Sequence, residues 1–86
     1  MGEFQMKREC IEELINAGRE IEFQYRGMRY SITYYNDNRE KRISVCKFYG
    51  KPINVRNADE VLKITIGRFT LEQIFSALPD NAFDIY

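Results

Sequence analysis

The sequence has no histidine. That absence removes imidazole acid–base chemistry, Ser-His and Cys-His nucleophile pairs, and every histidine-containing metal site. Cysteine is nearly as scarce. Cys10 and Cys46 stand far apart with no Cys-x-x-Cys spacing, and two thiols alone cannot complete a structural zinc site. They read as two small core residues in a reducing cytoplasm, joined only if folding brings them together. No run approaches the roughly 18–20 apolar residues that a membrane span needs. Residues 1–10 carry Glu3, Lys7, Arg8 and Glu9 without an apolar stretch, which predicts no secretory signal. Neither Gly-x-Gly-x-x-Gly nor Gly-x-x-x-x-Gly-Lys-Ser/Thr occurs, so no phosphate cradle is signalled. No cofactor and no metal are expected, and an enzyme is not.

What is present suffices for one core. Eighty-six residues, 44% hydrophobic and 14% aromatic, predict a single domain over 1–86. Residues 5–17 read as a first helix with a stripe of Met6, Cys10, Leu14 and Ala17, widened by Ile11 and Ile15 and closed by Gly18 as a left-handed cap. The segments 21–25 and 28–34 alternate apolar and polar residues around a two-residue turn, Arg26-Gly27. That register sets Tyr25 opposite Met28, Phe23 opposite Tyr30 and Ile21 opposite Ile32, all on one face. Residues 36–42 read as a polar connection and 43–49 as a third strand. Ile43 and Val45 face inward there, and a bulge near Cys46 and Lys47 would return Phe48 to the core. Residues 53–55 form a brief extended piece. Asn57 with Glu60 starts a helix through Val61, Leu62 and Ile64 that ends at Gly67. Thr70 with Gln73 makes a capping box, Phe69 with Ile74 a hydrophobic staple, and Leu71, Ile74, Phe75 and Leu78 one helical face that stops before Pro79. The tail 82–86 is either a last strand or a docked end.

The fold so predicted is α+β, in the order α-β-β-β-α-α: a three-stranded antiparallel sheet with its helices packed on one face. The expected core comprises Ile11, Leu14, Ile21, Phe23, Tyr25, Tyr30, Ile32, Val45, Leu62, Leu71, Ile74, Phe75 and Leu78.

Thirteen basic and thirteen acidic residues cancel overall, but not locally. Residues 1–20 carry −2, residues 21–58 carry +5 and residues 59–86 carry −3. A basic sheet with surface tyrosines could meet nucleic acid, with phosphates on Arg26, Arg29, Arg39, Lys41, Arg42 and Lys47. Against this, Arg39, Lys41 and Arg42 fall in a loop where solvated charge is ordinary, and Tyr25, Tyr30 and Tyr34 belong to the inward stripe. Only Tyr35 and Tyr49 are left for solvent. Catalytic candidates are thin. Glu12 and Glu13 diverge on a helix, Asp59 and Glu60 suit a helix start, and Cys46 is separated from Lys47 by strand alternation.

The helix–three strands–helix order resembles double-stranded-RNA-binding domains in topology. Those domains use a basic start to the last helix, whereas Asn57-Ala58-Asp59-Glu60 stands here. Arg26-Gly27-Met28-Arg29-Tyr30 resembles the aromatic strand signature of RNA recognition motifs, with Met28 in place of a stacking ring. The pattern Phe23-x-Tyr25-Arg26-Gly27-x-x-Tyr30-Ser31-Ile32, followed by Asn57-Ala58-Asp59-Glu60-Val61-Leu62 and Thr70-Leu71-Glu72-Gln73-Ile74, looks like small uncharacterised proteins of Gram-positive bacteria and their mobile elements. The resemblance spans about residues 21–75 and implies a bacterial cytoplasmic accessory protein, with no catalytic residues to carry over. The leading expectation is a small non-enzymatic protein-interaction module that binds an unknown protein partner or self-associates, with no membrane role. The alternative is sequence-tolerant nucleic-acid binding through residues 21–58.

Overall fold

The computed structural model describes residues 8–47 and 50–86. Its first helix, α1 (Arg8–Asn16), ends in a Schellman motif: the Arg19 amide donates to the Leu14 carbonyl and the Gly18 amide to that of Ile15, with Gly18 at φ +72°. The inward stripe of α1 differs from expectation. Ile11 and Ile15 are buried and Leu14 half-buried, while Cys10 and Ala17 face solvent. The two isoleucines bury more apolar area than Cys10 and Ala17 would, so they set the rotation of the helix. Gln5, Met6 and Lys7 lie outside the described residues.

The sheet is five-stranded and not three-stranded. In space it runs β4 (Ile53–Val55), β3 (Glu40–Lys47), β2 (Met28–Asp37), β1 (Ile21–Tyr25), β7 (Phe83–Ile85), every pair antiparallel. The β1–β2 register is the one the alternation predicts, from Ile21 opposite Ile32 to Tyr25 opposite Met28. The expected connection 36–42 is instead a second hairpin, pairing Asp37 with Glu40 across the turn Asn38-Arg39. Pairing continues unbroken to Lys47 opposite Tyr30, so the described part of β3 has no bulge. Phe48 and Tyr49 lie outside the described residues. The extended piece 53–55 joins the free side of β3, and the tail pairs with β1.

The C-terminal half also carries an unexpected hairpin. Helix α2 (Ala58–Lys63) begins as predicted, the Asn57 side chain accepting from the Glu60 amide while the Glu60 carboxylate accepts from the Arg56 amide. It stops before Ile64. Residues 65–66 (β5) then pair with 69–70 (β6) around Gly67-Arg68. Gly67 therefore serves a turn, at φ +64°, and not a helix end. Helix α3 (Leu71–Ala77) has the complete Thr70–Gln73 capping box, with bonds of 2.9 and 3.2 Å. The element order is thus α-β-β-β-β-α-β-β-α, a 3-10 turn (Asp80–Ala82), and β.

One core joins the helices to one face of the sheet. Its centre is aromatic: Phe23 stacks on Tyr30 at 5.2 Å, meets Phe75 edge-on at 4.9 Å, and Phe75 meets Phe83 at 5.6 Å. Ile15, Ile43, Ala58, Val61 and Phe83 join the expected core, whereas Leu14, Tyr25 and Leu78 are only partly buried at its margin. The opposite face of the sheet presents positions such as Ser31, Thr33, Ser44 and Cys46, which pair across strands away from the core.

Candidate functional site

β2 is ten residues long, so its two ends lie roughly 30 Å apart at about 3.3 Å per residue. The six basic residues considered for phosphate contact are distributed along that length. Arg26 sits at one turn and Arg39 at the other. Arg29 donates to Glu22 at 2.7 Å and to Asp84, and those hydrogen bonds, Asp84 first, raise its already high pKa. Arg42 is paired with Glu40. The Lys41 ammonium lies 5.0 Å from the centre of the Tyr34 ring. Lys47 sits opposite Tyr30 at the exposed end of β3. Arg39, Lys41 and Arg42 are neighbours on the β2–β3 hairpin, but the six do not form one surface. Between α1 and that hairpin, Lys41 and Arg56 line a cavity of about 140 Å³ together with Asn16, Tyr34 and Asn57. The exposed Lys41 side chain runs over the Tyr34 ring toward Gly18, where its Nζ would lie 2.6 Å from an added Cβ and could swing aside.

The Tyr34 hydroxyl donates to the Arg19 carbonyl at 2.7 Å. Burial, with a smaller contribution from the Glu20 carboxylate, pushes its pKa up to about 12. The Cys46 thiol points toward the Lys47 and Gly50 carbonyls, at 3.1 and 3.3 Å. Among the described residues, no group of three or more Cys, Asp or Glu side chains is placed to hold a metal ion.

The opposite end of β2 is built differently. The tips of the β1–β2 and β5–β6 hairpins border one depression, and one side of α3, from Gln73 to Ala77, lines the slot beside it. Tyr25, Phe69, Gln73, Ile74 and Ala77 line an apolar cavity of about 240 Å³. It adjoins a wider depression of about 530 Å³ bounded by Arg26, Gly67, Arg68 and Phe69. Phe69 is 43% exposed despite its position beside Ile74, and Met28, opposite Tyr25, is 39% exposed. The capping box fixes this geometry, because it holds the first turn of α3 against the β6 strand that carries Phe69. Gln73 uses its carbonyl oxygen in that box, leaving its amide N–H groups for other partners. The Arg26 guanidinium lies 5.4 Å from the Tyr25 ring centre, and neither Arg26 nor Arg68 has a carboxylate partner among the described residues.

Sequence reasoning found Arg26, Tyr25, Phe69 and Gln73 separately but not their convergence. The missed signal was Thr65-Ile66-Gly67-Arg68-Phe69-Thr70, two short β-prone pairs around Gly-x, which fits a tight hairpin. No protein-family model matches the chain, no curated protein does, and no solved structure does. No helix among the described residues is long and apolar enough to cross a membrane.

Proposed function

We propose that the chain is a non-enzymatic protein-interaction module, working in a reducing bacterial cytoplasm where Cys10 and Cys46 stay as thiols. One observation carries the reading: the apolar groove beside Phe69, open to solvent on a molecule with little core to spare. The open sheet supports it as well. Its outer strands β4 and β7 are each three residues long, and Ile53 on the former and Tyr86 just past the latter are exposed. A second copy of the chain is one such partner. A photo-crosslinking amino acid placed in turn at Phe69, Ile53 and Tyr86, with Tyr35 on the polar hairpin as comparison, tests the reading in cells. Protein adducts at one or more of the three apolar positions, and none at Tyr35, are expected. Absence of adducts at all three overturns it.

The second reading, sequence-tolerant nucleic-acid binding, is favoured by one observation only. Arg42 is the cross-strand partner of the exposed Tyr35 on the β2–β3 hairpin, near the Asn38-Arg39 turn, while Lys41, next to Arg42 along the strand, lies over Tyr34 on the other face. Asp37 and Glu40 on the same hairpin oppose it.

A further inference from the structure

The partner of the groove can be given a chemical class, an inference that rests on the interaction-module reading. The cavity of about 240 Å³ is a narrow apolar slot that opens into the wider depression of about 530 Å³. It suits one or two bulky apolar side chains. Its lining is apolar except for the Tyr25 hydroxyl and the Gln73 amide, and these suit the backbone of a peptide better than a charged metabolite. Charge enters only at the rim. Arg26 and Arg68 each stand in a hairpin turn, on different hairpins, and both border the depression next to Phe69. Two cations without carboxylate partners beside an apolar slot favour an occupant with acidic groups flanking its anchor. The wider depression beyond Phe69 gives such flanks room.

The geometry points to a docking site, between the Arg26-Gly27 and Gly67-Arg68 turns, for a peptide segment of a partner protein with a bulky apolar anchor flanked by Asp or Glu. The anchor enters between Tyr25, Phe69, Ile74 and Ala77. The acidic flanks meet Arg26 and Arg68. Phe69 is the wall of the slot, which accounts for a large aromatic side chain held at the surface by a fully formed capping box.

The site can be tested without knowing the partner. The full chain, immobilised, is used to select from a phage-displayed library of random 12-residue peptides, and selected peptides are titrated by fluorescence anisotropy. Phe69→Ala tests the wall. Arg26→Asn with Arg68→Asn tests the rim, and asparagine suits both turn positions, so the fold is kept; circular dichroism confirms this for each variant. The expected result is enrichment of peptides with an apolar anchor and acidic flanks. Binding should weaken about thirtyfold or more in Phe69→Ala, as for a central aromatic contact. It should weaken about five- to thirtyfold in the double arginine variant, a few-fold per rim ion pair. Selected peptides without acidic flanks, or bound equally by all variants, overturn this assignment. Cross-linking at Ile53 or Tyr86 would still sustain a module that works elsewhere. No enrichment over an unrelated immobilised protein overturns it as well.

Discussion

At one end of β2 the chain reverses through Arg26-Gly27, at the other through Asn38-Arg39, and in both turns the two central residues have positive φ: 52° and 75° in the first, 50° and 68° in the second. The turns are of one kind, the type I′ geometry that matches strand twist. Their surroundings are opposite. The first stands over the aromatic core, beside a second hairpin and α3, and has an apolar slot with two arginines lacking carboxylate partners. The second closes an extension of β2 and β3 that runs past the residues pairing with β1 and β4. Of its cations, Arg42 is paired with Glu40, Lys41 lies over the Tyr34 ring as Arg26 lies over that of Tyr25, and Arg39 has no carboxylate partner among the described residues. What separates the two ends is the apolar slot at the first and the acidic Asp37 and Glu40 set among the cations of the second. The same local backbone thus ends beside an apolar slot at one end and in a solvated arm at the other.

The largest test of this contrast concerns stability. Phe23→Ala, which removes the ring that stacks on Tyr30 and meets Phe75, should cost about 3–5 kcal/mol. Tyr35→Ala on the arm should change stability by no more than about 0.5 kcal/mol. Urea denaturation measures both. Comparable losses would mean that the arm is part of the cooperative core, and the contrast would fail.

The turns themselves give the next test, with opposite signs. A Cβ added at Gly27 meets nothing within 4 Å, so Gly27→Ala should lose about 1–2 kcal/mol through backbone conformation alone. Arg39→Gly should gain about 0.5–1 kcal/mol, because relief of the left-handed strain exceeds the added freedom of the unfolded chain. Thermal midpoints of the two variants against the parent decide it. A loss in Arg39→Gly would show that the Arg39 side chain makes a contact that outweighs its backbone strain.

The same pair of turns explains what could be read from the residues. Arg26-Gly27 is flanked by clean alternation, and glycine announces the positive φ, so the register followed to the residue. Asn38-Arg39 puts an arginine in a left-handed conformation, and its flanks, Asn36, Asp37, Glu40 and Lys41, have little strand propensity. Only pairing with an already formed β2 makes them a strand. β4 and β7 were hidden for a related reason: three residues carry too little pattern to show which edge they join. The site was less legible than the fold. Phe69 and Gln73 were identified for their capping chemistry, but the slot they form needs Tyr25, some 44 residues earlier, and tertiary proximity leaves no local signature.

If the arm is the functional end after all, nucleic acid is its natural partner, and the salt dependence would say so. Three phosphate contacts from Arg39, Lys41 and Arg42 predict a log-log slope of about −2.7 on duplex DNA. Fluorescence anisotropy between roughly 50 and 200 mM salt reads it. From the contrast drawn above, the expectation is no saturable binding at the low end of that range. Binding with this slope that is lost in Arg39→Glu with Lys41→Glu would move the functional surface to the arm.

The smallest effect lies where the arm leaves the body of the sheet. There the Tyr34 hydroxyl donates to the Arg19 carbonyl, and burial holds its pKa near 12, above the ordinary value near 10. The folded state therefore prefers the neutral phenol. Its contribution is complete below pH 10 and is lost as pH rises through 12, since ionisation both removes the donated proton and places a charge at a half-buried position next to Glu20. Tyr34→Phe should be less stable than the parent at neutral pH by about 0.5–1.5 kcal/mol, the net value of one hydrogen bond. It should also lose less stability than the parent between pH 10 and 12. Urea midpoints of the two proteins across that interval isolate the hydroxyl, because every other titrating group is common to both. Equal slopes would mean that water already reaches the Tyr34 oxygen, and that the joint between arm and body is looser than its bond to Arg19 implies.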